Sequence, residues 1–321
     1  MVDASTHPSR PPGDDEIIDA LRTPRDYLRL AVSRFNAAGL VFGHGATNAF
    51  DEAAYLVLEG LLLPIDQLDP FLDARLTRAE RIRLLGLIEA RVTTRKPIAY
   101  LLNRAYIGGV PFYVDERVIV PRSFIGEMLI DIRHGDSPLS GEFNGAAFVL
   151  DLCTGGGSLA ILAAMAFEDA VVDAVDASAD ALDVARRNVG EFGFDRRIRL
   201  LHGDLFAPVE GRRYDLIVTN PPYVTSAAVD AFPPEFAAEP RLAHEGGADG
   251  LTIVRRILAD AGRHLTQDGA LICEVGQERP DIMAEFPSLP MTWLDTRDSE
   301  GEVFLIHARD LAAKEKPKRR R

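Results

Sequence analysis

The sequence predicts an α/β fold in which a mostly parallel sheet carries helices on both faces and follows a separate helical domain. Three observations predict it. From residue 146 onward, apolar strand-like runs alternate with helical ones, the pattern of βα units. Chemistry-bearing residues recur where the strand runs stop: a glycine loop at 151–157, Asp176, Asp204 and the turn Asn220-Pro221-Pro222-Tyr223. Open α/β sheets bind ligands at those carboxyl ends. Before residue 97, apolar residues recur instead at three and four spacing, the helical period.

Taken in order, residues 1–13 read as disordered, with Pro and Ser and little apolar content. Residues 15–38, 48–63 and 77–92 read as helices; Thr23-Pro24 interrupts the first, and Thr77 through Glu80 has the form of a capping box. These make a compact helical domain over 14–96. After Lys96-Pro97 the pattern turns strand-like through 105–120 with a turn at Gly108-Gly109, so 97–122 is expected to be a hairpin linking the domains. Within 123–311, strands at 146–150, 171–176, 197–204, 214–218 and 270–275 alternate with helices at 158–167, 180–192 and 250–265. Runs at 291–296 and 303–307, joined through 298–301, suggest an antiparallel end to the sheet. Residues 224–248 form a Pro-, Ala- and acid-rich insertion directly after Tyr223, and a long loop there is expected to touch substrate.

Composition narrows the function. A chain of 321 residues with 47% apolar content can fill two cores. No apolar run approaches the ~18 residues of a membrane span, and the polar start lacks a signal pattern, so a cytoplasmic protein with no membrane partner is expected. Cys153 and Cys273 are the only cysteines and lack metal-site spacing; Cys153 reads as a small buried loop residue rather than a nucleophile. His44, His134 and His244 are placed in loops, and no metal is expected. The net charge is −13, and the tail at 314–321 carries six positive charges and one negative, which leaves −18 on the rest. An acidic body argues against a duplex-DNA enzyme and suits a basic protein partner. The tail, 312–321, reads as a solvated end, with contact to ribosomal RNA as the weaker alternative.

The turn at 220–223 has a specific use if the target is a planar NH2 group. The Asn220 side-chain oxygen and the Pro221 carbonyl can each accept one of its protons. Pro221 and Pro222 lock φ and carry no N–H, so the turn presents acceptors, and Tyr223 offers a flat face. Taken alone, the tetrapeptide is equally a Pro-Pro turn that ends a strand. The upstream loop, Asp151-Leu152-Cys153-Thr154-Gly155-Gly156-Gly157, joins a strand to a helix and suits a nucleoside cofactor held close to backbone. Asp176 is placed for ribose hydroxyls and Asp204 for an adenine amino group. The loop also fits Gly155-x-Gly157-x-x-Ala160 with Asp176 about 20 residues on, the dinucleotide pattern of hydride-transfer enzymes. Two features favour S-adenosylmethionine instead. Asp151 would repel a pyrophosphate but can pair with a methionyl ammonium, and the 220–223 turn has no role in hydride transfer.

These segments resemble a class I S-adenosylmethionine-dependent methyltransferase of the glutamine N5-methyltransferase group. The resemblance extends over 95–101, 112–123, 239–242 and 246–251, and covers nearly all of the chain except its ends. Asp-Leu-Cys-Thr-Gly at 151–155, and Glu127 five residues after Arg122, resemble the members acting on large-subunit ribosomal protein L-three; those acting on release factors usually have glycine at the position of Cys153. Gly156, Phe124 and Leu205 depart from a common serine, proline and aromatic. The resemblance implies a Rossmann-like seven-stranded sheet and recognition of a protein substrate by the helical domain. It also implies a cofactor site including Asp151, Cys153, Thr154, Gly155, Gly157, Asp176, Asp204, Leu205 and Asn220, with S-adenosylhomocysteine as product. Adenine-N6 methylation of nucleic acid and non-catalytic nucleotide binding stand as the alternatives. Arg122 and Glu127 are expected to form a structural ion pair or to border the site.

Overall fold

The structure, a computed structural model, describes residues 13–311 apart from 144 and 298, so the basic tail and all but Gly13 of the segment 1–13 expected to be disordered lie outside the described residues. The chain divides after Leu102 into two compact units.

The first unit is helical: α1 (Asp14–Ala20), α2 (Pro24–Ala37), α3 (Ala49–Gly60), α4 (Arg78–Thr94) and α5 (Ile98–Leu102). Thr23 caps α2 in a capping box with Asp26 and Pro24 follows at the first helical position, which is why the chain breaks between α1 and α2 instead of running on. Thr77 and Glu80 form the second capping box, at the start of α4. Tyr27, Phe35, Leu56, Leu84 and Ile88 are fully buried where α2, α3 and α4 meet. The side chains of Arg91 and Glu52 are buried with them, joined at 2.5 Å, and Arg91 also donates to the carbonyl of Arg95 at 2.9 Å. Such a pair must be fully hydrogen-bonded to offset its desolvation.

The second unit opens with a short hairpin, β1 (Ala105–Ile107) and β2 (Val110–Phe112), turning through Gly108 and Gly109. It is smaller than the strand-like pattern suggests. Residues 98–102 are helical, since Pro97 presets a first helical turn, and strand pairing ends at Phe112. Then follow α6 (Phe124–His134), β3 (Phe148–Leu152), α7 (Ser158–Ala166), β4 (Val171–Asp176), α8 (Ala179–Glu191), β5 (Ile198–His202) and β6 (Tyr214–Thr219). The insertion holds α9 (Ser226–Asp230) and α10 (Pro234–Ala237). After it come α11 (Thr252–His264), β7 (Leu265–Glu274), α12 (Arg279–Glu285), β8 (Thr292–Asp295), β9 (Glu300–His307) and α13 (Ala308–Leu311). His134 therefore ends a helix rather than lying in a loop.

The seven strands β3 to β9 form one sheet in the order β5-β4-β3-β6-β7-β9-β8, parallel except where β9 runs antiparallel to β7 and β8. Alternation along each strand feeds two cores. Val149, Val172, Leu216 and Ile272 face α6 and α7, whereas Leu150, Val175, Ile217 and Leu271 face α11 and α13. Because β4 and β6 flank β3 on opposite sides, the chain reverses its direction of growth there, and a crevice opens at the carboxyl ends of β3 and β6.

Candidate active site

A cavity of about 480 Å³ occupies that crevice, a size suited to one small cofactor and a side chain. Its walls include Cys153, Thr154, Gly155 and Gly156 from the loop after β3, Asp176 after β4, Asp204 and Leu205 after β5, and Asn220, Pro221, Pro222 and Tyr223 after β6. The structure thus gathers nearly all of the residues singled out in the sequence.

Two of them stand behind the wall. The Asp151 side chain is fully buried; Oδ2 accepts from Thr154 Oγ1 and from the Ala160 N–H at 3.0 Å, which ties the loop to the start of α7. Asp151 Oδ1 is buried without a hydrogen-bond partner, and burial pushes the carboxyl up to about 7. A cationic ligand group would satisfy that oxygen. Gly157 holds φ +82°, and a Cβ there would lie 3.2 Å from Cβ of Ala185, so glycine lets the loop settle onto α8.

Asp176 reaches into the cavity from the end of β4. Its Oδ2 accepts from the Gly155 N–H and its Oδ1 from the Ser178 N–H, both at 2.8 Å, and burial raises its pKa. The carboxylate lines the cavity and can still accept from ligand hydroxyls. Asp204 is held differently from the simple sequence expectation: Arg256 on α11 grips its Oδ2 at 2.6 Å, and Arg256 itself lines the cavity. Burial drives the Cys153 thiol well up, consistent with a filler rather than a nucleophile.

The turn after β6 is clamped. Asn220 Nδ2 donates to Glu274 Oε1 at 3.1 Å and to the Arg122 carbonyl at 3.3 Å, which leaves Oδ1 as the acceptor toward the cavity. Gly276 has φ +54°, and a Cβ there would come within 2.6 Å of the Tyr223 ring; at Gly250 one would come within 2.4 Å of the Tyr223 carbonyl. Both glycines are needed for backbone to pass so close to Tyr223. Burial, and then the charge of Glu274, raise the Tyr223 hydroxyl, so it stays protonated.

The insertion forms a third wall with Phe232, Phe236, Pro240, Leu242 and His244. Its base is closed by paired backbone hydrogen bonds, Val224 N–H to the His244 carbonyl at 2.9 Å and Gly246 N–H to the Val224 carbonyl at 2.8 Å. Glu239, fully buried, accepts from Arg122 through both oxygens at 2.9 and 2.8 Å and from the Val120 N–H at 2.8 Å. Arg122 does border the site, through this partner in the insertion.

Sequence reasoning missed Glu239, Glu274 and Arg256. Glu274 had a readable signal, since a carboxylate that follows the apolar run 270–273 stands at a strand end, like Asp151 and Asp176. Arg256 had none, because an arginine on an amphipathic helix is ordinarily a solvated residue. Among the described residues no cluster of His, Cys, Asp and Glu is arranged to hold a metal, and no helix is long and apolar enough to cross a membrane.

The Methyltransferase small domain family matches residues 139–234, from the loop between α6 and β3 to the start of α10 in the insertion. A methyltransferase of known structure from Pyrococcus furiosus aligns with 68% of this chain and 97% of that one, at TM-score 0.45 and 19% identity, a likeness too loose to weigh here. The sequence relatives are much nearer. The ribosomal protein uL3 glutamine methyltransferase of Bradyrhizobium diazoefficiens is 58% identical over 89% of this chain and 91% of its own, and that of Burkholderia pseudomallei is 53% identical over 91% and 96%. With identity that high across both structural units, the chain belongs to the ribosomal protein uL3 glutamine methyltransferase family.

Proposed function

We propose that this protein transfers a methyl group from S-adenosylmethionine to the side-chain amide nitrogen of a glutamine in ribosomal protein uL3. The observation that carries the reading is the Asn220 amide, with its nitrogen tied back to Glu274 and Arg122 and its oxygen turned to the cavity beside Pro221 and Tyr223. S-adenosylmethionine supplies an electrophilic methyl whose leaving group departs as a neutral thioether and needs no proton.

The chain's own task is positioning. Asn220 Oδ1 and the Pro221 carbonyl accept the two amide protons, which orients the nitrogen and opposes delocalisation of its lone pair into the glutamine carbonyl. Tyr223, held by Gly250 and Gly276, lies along the amide plane. The N–C bond forms as the C–S bond breaks, and the surplus amide proton leaves to solvent after transfer. Asp176 fits the ribose hydroxyls, Asp151 Oδ1 the methionyl ammonium, and Leu205 the adenine. The glycine loop and the 220–223 turn leave neighbouring strands, β3 and β6, which supports a reading in which both partners of the reaction meet there. The −13 net charge suits a cationic protein substrate.

The test is incubation with labelled S-adenosylmethionine and, in separate reactions, ribosomal protein uL3, a release factor and DNA, followed by mass mapping of the labelled product. A methylglutamine in uL3 is expected. Label confined to the release factor would move the substrate, and label on DNA would overturn glutamine as the acceptor.

A further inference from the structure

Glu274 takes no part in the transfer described above, yet it stands directly behind the acceptor turn with 2% of its surface exposed. Its Oε2 accepts from Ser123 Oγ at 2.6 Å and from the Phe124 N–H at 2.9 Å, where α6 begins. Its Oε1 accepts from Asn220 Nδ2 at 3.1 Å. An asparagine amide has nearly the same shape with either end forward, so packing alone does not choose between them. Chemistry chooses here, because the Arg122 carbonyl accepts only, and so does Glu274 in its ionised form. With Glu274 and the Arg122 carbonyl on one side, the amide nitrogen must face them and the oxygen must face the cavity. Reversed, Asn220 would set its own NH2 against the NH2 of the incoming glutamine, donor against donor.

We infer that Glu274 is a positioning residue for methyl transfer, fixing the Asn220 amide with its oxygen toward the acceptor glutamine while anchoring the same strand end to the start of α6. This rests on the glutamine-transfer reading above. Glu274 does not touch either substrate; it acts through Asn220.

The test is an exchange of charge between the two residues. In Glu274→Gln, the new amide must still accept from Ser123 and Phe124, so it turns its NH2 toward the Asn220 NH2. In Asn220→Asp, two carboxylates face each other. In the double variant the new amide at 274 donates to the new carboxylate at 220, and the second oxygen of that carboxylate still faces the cavity. Each single variant is expected to lose kcat by about 100-fold, with cofactor Kd within about threefold of wild type, the loss expected when a preorganised acceptor is misdirected. The double variant is expected to recover about tenfold over either single, the non-additivity of residues in direct contact. Ser123→Ala removes a partner of Glu274 on the α6 side only, and is expected to keep kcat within about fivefold.

A Glu274→Gln enzyme with kcat within about threefold of wild type, or a double variant no better than the poorer single, overturns the inference. So does a loss in Ser123→Ala as deep as in Glu274→Gln, which would mean that anchoring α6 is the whole effect. Asn220→Asp leaves Glu274 in place and reads the same contact should the Glu274 variants not fold; activity within about threefold of wild type there overturns it too. A wild-type enzyme that methylates no glutamine would instead overturn the functional reading beneath it.

Discussion

Thr219 Oγ1 donates to the carbonyl of Leu152 at 2.9 Å, with both residues fully buried at the paired ends of β6 and β3. The bond sits one residue before each functional segment departs from the sheet. It joins the two strands one residue before Cys153, where the glycine loop starts, and Asn220, where the 220–223 turn starts. A side chain that does not line the cavity thus helps to place the two segments that do.

Thr219→Val tests that dependence at nearly constant shape. The Leu152 carbonyl loses this bond in a dry interior, so stability should fall by about 1–2 kcal/mol, read from denaturant midpoints. Turnover should fall by several-fold more than cofactor affinity. Unchanged stability and kcat would mean that sheet register alone sets the spacing.

Asn220→Ala removes the acceptor while leaving the cofactor half of the cavity in place. Methyl transfer should drop by about 100- to 1000-fold, with cofactor Kd within about threefold of wild type by calorimetry. If cofactor affinity fell with kcat nearly unchanged, Asn220 would belong to the cofactor site alone.

Gly276→Ala should displace the Tyr223 ring, since the added Cβ falls 2.6 Å from Cε2. Gly211, also at positive φ (+76°) but with no atom within 4 Å of a built Cβ, separates backbone strain from the clash. Gly211→Ala should cost about 1 kcal/mol and leave kcat unchanged. Gly276→Ala should cost about 1–3 kcal/mol more, with kcat down about tenfold or greater. Equal behaviour of the two would show that Tyr223 tolerates displacement.

Glu239→Gln weakens the tie between Arg122 and the insertion. Arg122 is partly exposed, so the loss is moderated to about 1–3 kcal/mol. Limited proteolysis should then cut faster within 224–248 than in wild type. An unaltered cleavage rate would show that the backbone bonds at Val224 hold the insertion without help.

Asp151 and Glu274 each have a carboxyl pushed up to about 7 by burial. Their folded-state values lie above the unfolded ones near 4, so the folded protein holds those protons more tightly. Their contribution to stability is complete below about pH 4 and is lost as pH rises through about 7. Without cofactor, the melting temperature should decline between pH 5 and 8, and Asp151→Asn should flatten that decline. Saturating cofactor should also flatten it, if its ammonium pairs with Asp151. An identical slope in the variant would show that Asp151 stays ionised.

The α/β architecture was legible because buried parallel strands read as apolar runs and stop at Asp176, Asp204 and Asn220, residues that a mere core would not place there. The hairpin was overextended: residues 113–120 keep an apolar alternation, but Tyr113 and Val114 line the cavity or pack beside it instead of pairing. The residues of the cavity wall were legible where chemistry and strand end coincide. Glu239 was not, because its role depends on Arg122, 117 positions away, and a glutamate in an acid-rich loop carries no sign of a distant partner. Asp151 was legible as important but not as buried, since strand periodicity gives a face and not a depth.

The paired backbone bonds between Val224 and the 244–246 stretch have a consequence for the insertion they close. The segment leaves the scaffold and returns to it at one spot, and no strand of the sheet passes through it. It is therefore a self-contained loop whose two ends are tied together: the side chains of Phe232, Phe236 and Leu242 line the cavity without belonging to any strand of the sheet. Glu239 adds a second fastening away from that spot, since it holds Arg122 through both of its oxygens.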